Sequence, residues 1–454
     1  MKDMELLNEL MQNSRIAQKQ LEQYSQEQVD VLLKAMAKAV YDNADLLAKE
    51  AVEETGMGVY EDKIIKNVNT AMGLWNSLKD KKSVGIIKRE PETGLIHIAK
   101  PKGIVGAVSP TTNPVITPMG NAMVAIKGRN SIIIAPHPKA VKVSTHTVKI
   151  MNAAIRKLGA PENLIQIIEQ PSMELTQGLM KACDVIVATG GMGLVKAAYA
   201  SGKPAYGVGA GNVQVIIDRD YDMEQAAKDI IMGRKFDNGI ICAGEQSIIA
   251  PVEQHTRIME TFVKHGAYYV EDETTVNKFR NILFKDGVIN GEIVGHSARY
   301  VADKIGVEIP EDTKVVILKG KGKGKADILC KEKMCPVLVT LTYDQFDEAI
   351  EIAKANLLYE GAGHSVAVHS NNDMHIEMVG KALPVGRIAV NYPSILVNGS
   401  PINGFNPTTT LGCGSWGNNS ISENLTYEHL LNVSKIGYPI KEAKSPNGEE
   451  VFGN

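Results

Sequence analysis

The chain has little cysteine, little net charge and no long apolar run, and each shortage excludes something. Its 454 residues hold five cysteines, Cys183, Cys242, Cys330, Cys335 and Cys413. An odd, sparse set with no CxxC pair argues for a reducing compartment and against a disulfide framework. The cytoplasm is the expected location. Cys330 and Cys335 have no histidine at zinc-ligand spacing, so no metal site is expected. A net charge of −3 leaves no footprint for nucleic acid and none for an anionic membrane surface. Residues 103–126 carry no charge, yet Pro110, Pro114 and Pro118 break them as a membrane span. Lys2, Asp3 and Glu5 interrupt the apolar run that a secretory signal needs.

What is present points to a large α/β protein. This length exceeds one ordinary core and implies two domains. Val29, Leu32, Leu33, Met36, Val40 and Leu47 predict a helix over 25–50, opened by a Ser25–Gln28 capping box. A second helix is predicted over 61–79, with Trp75 on its buried side. Strands are then expected at 103–108, 131–135, 164–168, 185–188 and 215–217, with helices over 118–127, 141–158, 173–182 and 194–201. Such alternation predicts a mostly parallel sheet covered on both faces, with ligands beyond the carboxyl ends of its strands. A second cycle begins near 222, with strands at 246–250, 314–318, 337–341 and 365–369. Its helices are expected over 222–234, 253–264, 274–284 and 344–357. The lysine-glycine run 319–325 reads as a solvated loop. Residues 388–422 contain no Asp, Glu, Lys, Arg or His. Their Gly, Asn, Pro, Ser and Thr predict irregular backbone wrapped around a ligand site.

Three motifs could carry chemistry. Cys242 lies in Phe236-Asp237-Asn238-Gly239-Ile240-Ile241-Cys242-Ala243-Gly244. A cysteine among apolar residues is ordinarily core. Gly239 and Gly244 favour instead a loop that brings backbone to a small substrate. Thr189-Gly190-Gly191-Met192-Gly193 closes a strand and opens a helix. Backbone N–H groups there can meet a phosphate; a plain tight turn is the alternative. Asn113 follows a strand in Ser109-Pro110-Thr111-Thr112-Asn113-Pro114. Its amide can donate to a developing oxyanion, and an Asn-Pro turn is the plainer reading.

In this order, with a GxGxGN segment at 207–212, the motifs resemble the aldehyde dehydrogenase superfamily over nearly the whole chain. FDNGIICAGEQS and the later LGCGSWGNNSISEN are similar to its CoA-acylating branch. The resemblance implies an aldehyde dehydrogenase-like α/β fold. Residues 1–210 would form a Rossmann-type NAD(P)-binding domain, with 84–102 inserted as an oligomerisation hairpin. Residues 211–425 would form the catalytic domain, and 426–454 a C-terminal arm that can join the hairpin. Met1–Gln23 is expected to belong to the first domain, not to a separate targeting peptide. A homodimer or homotetramer is implied.

The resemblance also assigns roles. Cys242 matches the nucleophile, and Asn113, with the Cys242 N–H, the oxyanion donor. His364, in a Gly-His-Ser element, would handle the proton of Cys242 or of CoA, or position the cofactor; a structural histidine is the alternative. Glu332 matches the glutamate that holds the nicotinamide ribose. Ser109, Pro110, Thr111, Thr189, Gly190, Gly191, Gly193 and Gly209 would line the cofactor site. His137 and Pro138 stand where many members have Lys-Pro beside the adenosine ribose. Hydrolytic members place a general-base glutamate about where Val208 falls, so the thioester should await a thiol, CoA. Ala140 lies near where NAD-preferring members place an acid, with Lys139 and Lys142 close by. NADP is therefore expected, NAD being possible. Overall similarity implies succinyl-CoA and succinate semialdehyde as substrates, with acetaldehyde or butyraldehyde as the alternative. The substrate carboxylate would meet Arg234, or Ser394, Asn398 and Ser400 in the uncharged segment. A non-catalytic oligomer of the same fold is the reading from another class.

Overall fold

The structure, a computed structural model, describes residues 2–440 and 443–453. Four helices come first: α1 (Lys2–Leu21), α2 (Gln26–Asp42), α3 (Ala44–Thr55) and α4 (Tyr60–Leu78). A hairpin follows, β1 (Gly85–Glu90) and β2 (Leu95–Pro101). The first α/β run is β3 (Ile104–Ser109), α5 (Ile116–Lys127), β4 (Ser131–Pro136), α6 (Val141–Arg156) and β5 (Ile165–Ile167). It continues with α7 (Met173–Ala182), β6 (Val185–Thr189), α8 (Met192–Ala200) and β7 (Ala205–Val208). The second run opens with β8 (Val213–Ile217), α9 (Met223–Lys235), β9 (Glu245–Pro251), α10 (His255–Lys264) and β10 (Ala267–Val270). Then come α11 (Glu273–Leu283), the small hairpin β11 (Phe284–Lys285) and β12 (Val288–Ile289), α12 (Ala298–Asp303) and β13 (Val315–Lys319). The run closes with β14 (Val337–Tyr343), α13 (Phe346–Tyr359), β15 (Gly363–His369), α14 (Asp373–Ala382) and β16 (Val385–Val390). β17 (Leu431–Gly437) and α15 (Gly448–Phe452) come last.

Two sheets organise these elements. The first has five strands in the order β5-β4-β3-β6-β7, all parallel. The second has seven, β10-β13-β14-β9-β8-β15-β16, also all parallel. Parallel strands covered on both faces read as continuous apolar runs. Ile132, Ile133 and Ile134 of β4 accordingly have no exposed surface. Each such side chain stabilises the fold by roughly 1.5–3 kcal/mol. A third sheet is antiparallel, in the order β1-β2-β17, so the C-terminal strand pairs with the hairpin along 95–101. No described helix is long and apolar enough to cross a membrane.

Local chemistry explains where helices start and stop. Ser25 and Gln28 form the reciprocal capping box of α2. The helix expected over 25–50 is two helices, because Asn43 leaves helical geometry and donates its side chain to the Ala39 carbonyl at 2.8 Å. Residues 388–422 are irregular apart from the end of β16 and short 3₁₀ turns. Asparagines order them: Asn424 donates to the Val397 and Asn406 carbonyls at 3.0 and 2.7 Å.

Candidate active site

The two large sheets present opposite ends to one cleft of about 570 Å³. The first sheet contributes its carboxyl ends: Ser109, Pro136, Thr189 and Val208, with His137 and Pro138 after β4. This is where a parallel sheet binds ligands. The second sheet contributes residues before its strands, Cys242 ahead of β9 and Glu332 ahead of β14. Of the expected residues, Ser109, Pro110, Thr111, Asn113, His137, Pro138, Thr189, Gly190, Gly191, Gly209, Cys242 and Glu332 all line this cleft. Lys139, Lys142 and Gly193 do not; Lys139 is exposed in the turn before α6 and Lys142 at its start.

The first-sheet wall fits a nicotinamide dinucleotide. The hydroxyls of Ser109 and Thr189 are buried and have no hydrogen-bond partner, although both residues face the cleft. Buried hydroxyls are rarely left unpaired, so they call for a polar ligand. Gly190 and Gly191 precede α8, and a side chain at Gly191 would meet only open space. Backbone N–H groups at such a helix start suit a pyrophosphate.

The nucleophile loop is tightly specified. Asp237, Asn238 and Gly239 all have left-handed backbone, with φ of 52°, 52° and 69°. That conformation is costly for Asp237 and Asn238. It holds because each is tied down. The Asp237 carboxylate accepts from the Val59 N–H at 2.9 Å and pairs with Lys63 at 3.1 Å and with Lys66. Asn238 donates to the Gly295 carbonyl at 2.9 Å. A Cβ at Gly211 would lie 1.9 Å from the Cys242 carbonyl oxygen, so only glycine permits this approach.

Electrostatics separate the reactive groups. Cys242 is half-buried. Burial first, then Glu332 and Cys413, push its thiol up to about 12. Glu332 accepts from the Gly211 N–H at 3.2 Å. Burial, then the neighbouring Glu360, push its carboxyl up to about 8. Glu332 is the only acidic residue among those lining the cleft. Val208, also on the wall, is apolar and 2% exposed.

Three sets of expected residues lie outside the cleft. His364 does not line the cleft: it is fully buried, and its Nδ1 meets Ser365 Oγ at 2.7 Å. Burial, then Arg387, hold its ring down to about 3, so it is neutral at physiological pH. Arg234 is no reader of a substrate carboxylate. It is fully buried and donates to the Cys335 carbonyl. Ser394 is also buried: its N–H reaches Glu245 at 2.6 Å and its hydroxyl the Ala243 carbonyl. Asn398 and Ser400 are half-buried and outside the cleft, and no residue of 388–422 lines it.

Sequence reasoning missed residues too. Lys63 and Lys66 of α4, and Asp237, form an ion-pair cluster beside Asn113. Arg387, 2% exposed, donates to the carbonyls of His364, Gly363, Gly412 and Ser422. It thereby joins β15 to the irregular segment. No spacing in the sequence links these partners.

Known proteins are similar to this chain in sequence and fold. The signature of the aldehyde dehydrogenase family matches residues 2–277 and 317–427. Succinate-semialdehyde dehydrogenase (acetylating) of Clostridium kluyveri is 64% identical, covering 98% of this chain and 99% of that protein. The crystal structure of an acetylating aldehyde dehydrogenase from Geobacillus thermoglucosidasius superposes with a TM-score of 0.94 at 38% identity, over 98% of this chain and 99% of the other. An engineered glycolyl-CoA reductase with bound NADP+ superposes with a TM-score of 0.85 at 27% identity, over 95% and 96%.

Proposed function

This chain belongs to the aldehyde dehydrogenase family, and on that premise we propose that it interconverts succinyl-CoA and succinate semialdehyde through a thioester on Cys242. The observation that carries the reading is the lining of the cleft, which holds one acid and the apolar Val208. Its single acid, Glu332, is held at about 8 and tied to the Gly211 N–H. At neutral pH it is mostly protonated, and its oxygen is engaged by the Gly211 N–H, which disfavours its drawing a proton from water. Val208 offers no substitute. A thioester formed on Cys242 therefore persists until a thiol attacks it.

In the reductive direction, the Cys242 sulfur attacks the thioester carbonyl of the acyl-CoA, and the proton it gives up leaves on the thiol of the expelled CoA. The Asn113 amide and the Cys242 N–H hold the oxyanion. Its collapse expels CoA and leaves the acyl group on Cys242. A nicotinamide cofactor, which Ser109, Thr189, Gly190, Gly191, Gly209 and Glu332 would hold, would supply hydride to the acyl carbon on Cys242, with a proton from solvent going to its oxygen. The Cys242 thiohemiacetal then releases the aldehyde and regains its thiol. In the oxidative direction Cys242 attacks the aldehyde, and CoA removes the acyl group by transthioesterification. Residues 1–210 supply the cofactor wall and 211–425 the nucleophile.

NADP is the proposed cofactor, because Lys139 and Lys142 offer cations to a 2′-phosphate. One observation favours NAD instead. The Glu54 carboxylate accepts the Lys142 and Val143 N–H groups, both at 2.8 Å, and would repel that phosphate. The ratio of kcat/KM for NADPH over NADH decides between them. The copies pair through β17, whose Val433 and Ile436 are 45% and 43% exposed. Sedimentation then gives a dimer, or a tetramer if dimers associate.

The deciding experiment compares NADPH oxidation with succinyl-CoA, acetyl-CoA and butyryl-CoA. The proposal requires succinyl-CoA to have the highest kcat/KM. A higher value for either unsubstituted acyl-CoA rejects the substrate, and no thiol-dependent turnover with any of them rejects catalysis.

A further inference from the structure

Asn113 can hold an oxyanion only with its NH₂ group facing the substrate. An asparagine side chain is nearly symmetric in shape, and a flip would put its carbonyl oxygen against the developing negative charge. Something must forbid the flip.

Lys66 does so chemically. Its ammonium donates to Asn113 Oδ1 at 2.9 Å. An ammonium has three donors and no acceptor, so it accepts only the oxygen of the amide as neighbour. The flipped amide would set N–H against N–H. With Oδ1 fixed, Nδ2 has one contact, the Thr112 hydroxyl at 3.3 Å, and keeps its second hydrogen for the cleft. A charged donor on Oδ1 also polarises the amide and makes that hydrogen a stronger donor.

Lys66 is itself anchored. Its side chain is 9% exposed and pairs with Asp237, which is fully buried. Burial raises the Asp237 carboxyl, yet Lys66 and Lys63 hold it below its ordinary value, so it stays ionised. The Asp237 N–H in turn donates to Asp62 at 2.8 Å. The gap beside Lys63, Lys66, Asn67 and Asn113 is only about 10 Å³. That is at the limit for a single water. Asp237 begins the strained turn that leads to Cys242. One ammonium thus joins the loop of the nucleophile to the loop of the oxyanion donor, across the two sheets.

We propose that Lys66 is a positioning residue for this reaction, fixing the Asn113 amide and setting it in register with the Cys242 loop. The proposal rests on the reading of Asn113 as oxyanion donor, and the test separates the two. Lys66→Met, Lys66→Arg, Asn113→Ala and the double variant Lys66→Met/Asn113→Ala are assayed for kcat, for acyl-CoA KM and for NADPH affinity by fluorescence. Lys66→Met is expected to lower kcat on the order of 10–100-fold, less than removal of the donor itself, with NADPH affinity unchanged. The same change in the Asn113→Ala background should lower kcat by no more than about twofold, since coupled residues are not additive. Lys66→Arg keeps a donor-only partner and should recover kcat to within about fivefold.

A Lys66→Met enzyme with unaltered kcat overturns the proposal while leaving Asn113 in place. So does a loss that multiplies in full with Asn113→Ala, which would mark a separate structural role. If Asn113→Ala is itself silent, the oxyanion reading falls and this inference with it. Should Lys66→Met not fold, Lys66→Arg still decides: a loss beyond about 100-fold in a folded, NADPH-binding protein overturns it.

Discussion

The two walls of the cleft are built on opposite principles. The wall from the first sheet is backbone, hydroxyl and glycine, with unpaired oxygens at Ser109 and Thr189 and no lysine or arginine among its lining residues. The wall from the second sheet is backed by buried charge. Arg234, Glu245, Lys333 and Asp237 are all fully buried around the nucleophile loop. Its backbone is strained at Asp237, Asn238 and Met334. The first wall suits a ligand that comes and goes, because its donors await a partner. The second suits a group that must not move, because preorganised charge does its work without rearrangement.

The contrast can be broken most severely at the nucleophile. Cys242→Ala should abolish acyl-CoA-dependent NADPH oxidation and the reverse reaction, while NADPH still quenches or shifts fluorescence on binding. Residual turnover above background would remove Cys242 from the mechanism. Asn113→Ala should cost about 10²–10³ in kcat, again with cofactor affinity intact. A parallel loss of NADPH affinity would show that the walls are not separable.

A milder change tests an electrostatic contact between a cofactor-binding group and the nucleophile. Glu332, on the second-sheet wall, is expected to hold the cofactor but raises the Cys242 thiol. Glu332→Gln removes that carboxylate, so the pH profile of Cys242 alkylation by iodoacetamide should move to lower pH. A profile that stays in place contradicts the coupling.

The smallest effect concerns the fold behind the nucleophile. Burial holds His364 at about 3 and His369 at about 4, against 6.5 for a free imidazole. Between those values the unfolded chain binds more protons than the folded one. Stability therefore falls as pH drops from about 6.5 toward 4 and is fully present above that range. The thermal midpoint should follow. His364→Gln should flatten the dependence, and an unchanged slope would show that His364 contributes none of it.

The strand-and-helix alternation was legible because parallel strands are apolar on both faces. β4, Ser-Ile-Ile-Ile-Ala-Pro, is visible as such. β7, Ala-Tyr-Gly-Val, is not: its composition is ordinary, and its pairing with β6 makes it a strand. At the site, Cys242 and Asn113 stand in recognisable local contexts. Arg234 was misplaced because an arginine near a helix end ordinarily reaches solvent, whereas tertiary packing closes over this one. Lys66 was invisible for the converse reason. A lysine on an amphipathic helix reads as solvated surface, and its partner Asp237 lies 171 positions away.

The other four cysteines, at 183, 330, 335 and 413, are all buried. Burial pushes each of their thiols to about 11. The Cys242 thiol is raised at least as far, so exposure and not acidity makes the folded protein a single-address scaffold: Cys242 alone of the five is half-buried. A maleimide or heavy-atom reagent that enters the cleft should attach with a stoichiometry of one per chain, without removal of any competing thiol. A spectroscopic reporter placed there would watch both walls at once.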